Sequence, residues 1–194
     1  MKKIAFFDFD GTITDNDTFI EFAKFSVGKS AFYKAFFQSI PILCLWKLGL
    51  KSNSEAKQKL FSRLYRGMDY TKFQELCTKF RSLIDLQTRA EIIDAIMQHK
   101  RSGDQVVIVS ASIGDWIRPW AAVNAIDNVI ATEAEIDLSN RLTGRFATKN
   151  CHGKEKAIRI QHQFPKIADY ETWGYGDSSG DNEMLSLVNH PKRV

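Results

Sequence analysis

MKKIAFFDFDGTITDN, residues 1–16, is the stretch on which the reading of this chain turns. Ile4, Ala5, Phe6 and Phe7 form a short, bulky apolar run that ends in a Gly/Thr/Asp/Asn cluster, the pattern of a buried strand entering a loop. Asp8 and Asp10 stand two residues apart. If the pleat persists through Phe9, both carboxylates project from one side, about 6.6 Å apart at roughly 3.3 Å per residue. Like charges at the mouth of an apolar strand repel and lose hydration, so something must compensate them. A polar strand end with an ordinary Asp10-Gly11 turn would account for this stretch alone. It loses ground because two later stretches have the same form.

Outward from there the period changes. Phe19, Phe22, Ala23 and Ser26 recur at helical spacing behind an Asp17 N-cap, with Gly28 as the stop. A second apolar helix is expected from about Ser30 and is expected to break at Pro41. Lys34, Gln38, Pro41 and Lys47 interrupt the apolar segment 31–50, which reads as a buried helical hairpin rather than a membrane span. Ser52 to Glu55 forms a capping box for a third helix closed by Gly67, and Tyr70, Phe73, Leu76, Cys77 and Phe80 make the face of a fourth. Residues 17–86 are therefore expected to be an all-helical insertion between residues 1–16 and 87–194.

The second part alternates. Thr88 to Glu91 reads as another capping box, with its helix ending in Lys100, Arg101 and Gly103. QVVIVSAS, Gln105 to Ser112, has the continuous apolar character of a central parallel strand. A helix from about Asp115 carries Trp116 and Trp120, both read as core. Strands are expected over 128–136 and 142–147, a helix over 154–164, and a last strand from Thr172 opening into GDSSGD, Gly176 to Asp181. This order indicates an α/β fold of three layers with a mainly parallel sheet.

Composition narrows the classes. The 194 residues carry a net charge of +4 with lysines and arginines scattered, so no nucleic-acid track is expected, and no membrane partner either. Lys2-Lys3 begins like a signal peptide, but Asp8 and Asp10 interrupt it, and targeting is rejected. Cys44, Cys77 and Cys151 show no metal or disulfide spacing, which favours a reducing compartment and makes the cytoplasm the default. His99, His152, His162 and His190 form no ligand pattern. A monomer or a homodimer is expected.

Three apolar strands thus end in polar residues: Asp8 and Asp10, Ser110, and Asp177 with Asp181. In open parallel sheets, ligands bind beyond the carboxyl ends of the strands, so the three ends should face one crevice. Four carboxylates there require a cation, and all-oxygen ligation suits Mg²⁺, with phosphate oxygens completing the shell. The Ser110 hydroxyl, the Gly11 and Ala111 N–H groups and a lysine near residue 154 are anion receptors. A metal, a lysine and a spare carboxylate around one anion describe a phosphoryl-transfer site.

DFDGT, IVSAS, a later helical lysine and GDSSGD, in this order, resemble the four motifs of the haloacid dehalogenase superfamily. The insertion after the first motif resembles the helical cap of its phosphoserine phosphatase-like branch. The resemblance implies a Rossmannoid core and a Mg²⁺-dependent phosphatase acting on a small phosphorylated metabolite. It implies that Asp8 forms an aspartyl-phosphate, that Asp10 protonates the leaving oxygen and then activates water, and that Asp8, the Asp10 carbonyl and Asp177 hold the metal with Asp181 supporting its water shell. Ser110 and the lysine would bind the phosphoryl group, and Thr12, closing DFDGT, joins this set. Lys156 fits the Gly-x-x-Lys spacing of NCHGKEKAIRI, with Lys154 as the other candidate. A phosphotransferase or mutase with the same intermediate, or a phosphate-binding module without turnover, are the alternatives. Asp17 stands where phosphoserine phosphatases carry a substrate-reading glutamate, and Arg63 or Arg66 could meet a substrate carboxylate. The chain ends soon after the fourth motif, leaving the sheet free to lack the final strand of longer relatives.

Overall fold

Strand β1 (Lys2–Phe7) alternates its side chains between two cores: Ala5 and Phe7 enter one apolar cluster, Ile4 and Phe6 the other, and all four are fully buried. A strand covered on both faces needs apolar residues at every position, which the IAFF run supplies. The computed structural model describes residues 2–126 and 128–194. After β1 come α1 (Thr18–Val27), α2 (Lys29–Lys47), α3 (Asn53–Tyr65) and α4 (Tyr70–Asp85). Then follow α5 (Ala90–Arg101), β2 (Gln105–Ile113), α6 (Gly114–Val123), β3 (Asn128–Thr132), β4 (Ala134–Ile136) and β5 (Leu142–Phe146). The chain closes with α7 (Lys154–Gln163), β6 (Tyr170–Gly176), α8 (Asn182–Leu185) and β7 (His190–Arg193). The main sheet is parallel throughout, in the order β3-β2-β1-β6-β7, and β4 and β5 form a separate antiparallel pair.

The larger cluster joins the insertion to the sheet. Phe22 of α1 stacks on Trp116 of α6 at 4.7 Å between ring centroids, and Phe9 meets Trp120 edge-on. The indole N–H groups donate to Thr18 Oγ1 and Asp85 Oδ1, so both tryptophans are buried with their polar atoms satisfied. On the opposite face Ile160 of α7 and Phe164, just past its end, pack with Met184 and Leu185 of α8.

Five local expectations are corrected. The second helix does not break at Pro41 but runs on to Lys47, because proline forfeits a single i→i−4 bond and Pro41 lies on the exposed side. Nor is that segment a buried hairpin: α2 buries only Phe32, Ala35 and Ser39. The Thr88 capping box does not form, since Thr88 bridges to Thr14 and its hydroxyl donates to Asp85 O, while Arg89 becomes the N-cap. The strand expected over 128–136 divides at Glu133, whose N–H turns to Thr148 Oγ1. Finally, the chain does supply a further strand, β7, which pairs with β6 at the sheet edge, where one side needs no ladder and Pro191 is tolerated.

Candidate active site

The loops that follow β1 and β6, together with the end of β2, line one cavity of about 190 Å³ with the start of α7 and residues of the insertion. Asp8 sits at its floor, 6 % exposed, directly after the buried run of β1. Its Oδ1 accepts from Lys156 Nζ at 2.5 Å, and the same ammonium donates to Asp181 Oδ1 at 2.5 Å. Lys156 is on the inner face of the first turn of α7, while Lys154, two residues away, is exposed. The Lys156/Lys154 alternative therefore separates by burial.

Burial pushes the Asp8 carboxyl up to about 7, against the pull of Lys156 and with Asp181 adding to the rise. Burial would depress the Lys156 ammonium, but Asp8 and Asp181 outweigh it and hold the amine above the ordinary lysine range. Asp8, Asp177 and Asp181 bring carboxylate oxygens within 4.8 Å of one another. One ammonium among three carboxylates leaves two formal negative charges in a desolvated place. That donor set, hard oxygens with a surplus of two charges, fits a divalent cation such as Mg²⁺.

Asp10 does not point with the other three. Its Oδ1 accepts from Thr18 N at 2.8 Å and Thr18 Oγ1 at 2.5 Å, and its Oδ2 accepts from Ser112 Oγ at 2.5 Å. Three donors fix this carboxylate at the cavity wall, apart from the cluster that Asp8, Asp177 and Asp181 form. The turn that follows Asp10 is set by Gly11, at φ +80°, where a Cβ would fall 2.5 Å from Asp177 Oδ2. Arg89 Nη1 donates to Gly11 O at 2.9 Å and pins the same turn.

The fourth motif is held as tightly. Asp181 closes a single helical turn over Gly176, where a Cβ would lie 2.5 Å from the Asp181 Cβ, and its Oδ2 accepts from Ser178 N and Oγ. Asp177 accepts from Thr12 Oγ1 at 3.4 Å, and the β7 residue Arg193 donates to its carbonyl at 3.1 Å. Ser110 is fully buried with its Oγ accepting from Ser112 N, and Ala111 beside it lines the cavity.

The insertion contributes Asp17, Asn53 and Lys57 to the cavity wall. Asp17 caps α1 through Phe19 N at 2.9 Å, and burial together with the Asp10 charge raises its carboxyl above the usual range. Lys57 donates to Ala111 O at 3.0 Å and lies over the Phe19 ring. Arg63 does not reach the site, since it donates to Ser39 Oγ and ties α3 to α2, and Arg66 faces a separate surface hollow with Asp137 and Arg145. Asn53, Lys57 and His152 are the lining residues that the sequence reading passed over. The signal for the first two was present: the Ser52 cap fixes where α3 starts, and positions 53 and 57 share a helix face. His152 had none, because it reaches the cavity by packing against Gly180.

A family model described as haloacid dehalogenase-like hydrolase matches residues 5–186. Among curated relatives, the protein CicA of Caulobacter vibrioides is 27% identical over 185 residues, covering 94% of this chain and 82% of its own. A crystal structure of a protein of unknown function from Bordetella pertussis superposes with a TM-score of 0.82 at 21% identity, over 98% of this chain and 89% of that one. A phosphoserine phosphatase solved as a phospho-aspartyl intermediate analogue gives a TM-score of 0.67 at 19% identity, over 98% and 85%.

Proposed function

The chain belongs to the haloacid dehalogenase-like hydrolase family, and on that premise we propose that it is a Mg²⁺-dependent phosphatase that hydrolyses a small phosphomonoester through a phosphorylated Asp8. The observation that carries this reading is the contrast within DFDGT. Asp8 is buried at the cavity floor against Lys156, whereas Asp10, two residues on, is anchored on the wall by Thr18 and Ser112. This contrast supports Asp8 as the carboxylate that attacks and Asp10 as the one that moves protons.

In the first step an Asp8 oxygen forms a bond to phosphorus as the bond to the leaving oxygen breaks, and Asp10 delivers a proton to that oxygen. In the second, Asp10 takes a proton from water, the water oxygen bonds to phosphorus, and phosphate departs as the Asp8 carboxylate is restored. Lys156 balances the charge on Asp8 and the phosphoryl group throughout. Asp8 and Asp177, with the Asp10 carbonyl and with Asp181 behind them, would hold Mg²⁺, which supplies charge neutralisation at the phosphoryl oxygens when bound. The N–H groups of Gly11 and Ala111 and the Ser110 hydroxyl complete the anion site, and Thr12 acts at one remove by orienting Asp177.

A cavity of about 190 Å³ lies below the roughly 300–1,000 Å³ of sites for drug-sized ligands, which supports a small metabolite. Residues 17–86 act as a cap whose Asp17, Asn53 and Lys57 select among substrates, and the cytoplasm is the place of action. Phosphate release from a panel of small phosphomonoesters in the presence of Mg²⁺ tests the reading. Release from at least one of them, lost in Asp8→Asn, is the expected result. Turnover that requires an acceptor other than water would replace hydrolysis by phosphoryl transfer.

A further inference from the structure

The outer face of α2 breaks the usual rule for a protein surface. Tyr33, Phe37, Ile40, Cys44 and Leu48 recur at i, i+4, i+7, i+11 and i+15, a single helical stripe, and that stripe points away from the core that takes Phe32, Ala35 and Ser39. Phe37 is 63 % exposed and Leu48 72 %, and the turn after the helix adds Leu50 at 68 %. A contiguous apolar patch of this kind marks an interaction surface.

Charge says what kind. Between Glu21 and Glu55 the chain has no acidic residue and five lysines. Lys24 and Lys51 pair with Glu21 and Glu55 at the two ends of this stretch. Lys29, Lys34 and Lys47 are exposed and make no ion pair among the described residues, and they flank the apolar stripe on both sides. Aliphatic and aromatic side chains between lysines suit the boundary of an anionic bilayer, where lysine stems lie along the apolar layer and their ammonium groups reach phosphate. A second copy of the same face would instead set like charges against each other. Among the described residues no helix is long and apolar enough to cross a membrane, so α2 would lie along the surface.

We propose that the outer face of α2, with the turn to Leu50, docks the protein on the surface of an anionic phospholipid bilayer. This reverses the expectation that no membrane partner exists, and it stands independently of the chemistry proposed for the cavity. Hydrophobic burial supplies the hold and the lysines supply lipid preference.

The test is co-sedimentation of the full chain with vesicles of phosphatidylcholine, and with vesicles in which about a third of the lipid is phosphatidylglycerol. Wild-type protein should sediment with the second and remain in solution with the first, and about 0.5 M salt should weaken binding by screening. Lys34→Ala/Lys47→Ala should lower the partition coefficient roughly fivefold per lysine. Phe37→Glu/Leu48→Glu should lower it more than tenfold, with unchanged circular dichroism and melting temperature showing that the fold persists. Wild-type protein that ignores both vesicle types, or binding that survives the glutamates, would overturn the proposal. A concentration-dependent dimer that the glutamates disperse would overturn it too, assigning the face to a second copy.

Discussion

Two regions of this molecule violate the ordinary partition of side chains in opposite directions. At the floor of the cavity, Asp8, Lys156 and Asp181 are charged and almost wholly buried. Along α2, Phe37 and Leu48 are apolar and mostly exposed. Desolvating a charge costs several kcal/mol unless a partner restores the lost hydration, whereas leaving one large apolar side chain in water forgoes roughly 1.5–3 kcal/mol. The first region is consequently held by every available device: a lysine between two carboxylates, a capping turn around Asp181, a glycine that lets Asp177 approach. On the second, Phe37 meets only the rings of its own helix, Tyr33 and Phe36, among the described aromatic contacts. The difference teaches that the charged cluster has its partners within the chain, while the α2 face has its proposed partner outside it.

Removing the divalent ion should have the largest effect on this comparison. Chelation by EDTA is expected to abolish phosphate release, and Mg²⁺ to restore it. Saturating Mg²⁺ should also raise stability, by about 2.7 kcal/mol at a hundredfold excess over its Kd, read as a rise in melting temperature that Asp177→Asn loses. Full turnover in a rigorously metal-free preparation would break the account of the donor set.

Next comes Lys156. Lys156→Ala leaves Asp8 and Asp181 facing each other without an ammonium and is expected to destabilise the chain by about 3–5 kcal/mol while lowering kcat by about 10²–10³-fold or more. Lys154→Ala, at an exposed position, should stay within about 0.5 kcal/mol of wild type. Denaturant melts and single-substrate kinetics on the two variants decide the matter, and the reverse order would move the role to Lys154.

How far could these two regions be read from the sequence? The sheet centre could, because IAFF and the VVIV run of Val106 to Val109 are apolar at every position, and a strand covered on both faces requires that. The helix starts at Asp17 and Ser52 could as well, since a cap is decided within four residues. The identical local logic failed at Thr88, where a tertiary bridge to Thr14 took the residue away from the helix. It failed at Pro41 because a single lost hydrogen bond does not end a helix whose other face is anchored. Within the site, the convergence of three strand ends was legible from topology, but the turning of Asp10 was not. Its donors, Thr18 and Ser112, lie 8 and 102 residues away, and only the folded chain brings them together.

Smaller effects sharpen the boundary between chemistry and selection. Lys57→Ala and Asp17→Ala remove opposite charges from the cavity wall and should change KM for different phosphomonoesters by unequal factors, on the order of tenfold, with kcat for a small aryl phosphate little altered. Equal losses on every substrate would place these residues in the chemistry instead. At the far end of the scale, Phe37→Glu should leave the melting free energy within about 0.5 kcal/mol of wild type, because that side chain supports no core. A large loss would mean that the exposed face is part of the fold.

The central claim, that DFDGT divides its work between a nucleophile and a proton carrier, is tested most directly by trapping the first step. Asp10→Asn retains Asp8, Lys156 and the metal carboxylates but removes the group that activates water. With Mg²⁺ and a nitrophenyl phosphate, whose leaving group needs little protonation, it should accumulate a phosphoryl adduct. The predicted result by mass spectrometry is a gain of one phosphate on the peptide carrying Asp8, removed by hydroxylamine and absent from Asp8→Asn/Asp10→Asn. Turnover of Asp10→Asn at the wild-type rate, or an adduct mapped to any residue other than Asp8, would contradict it.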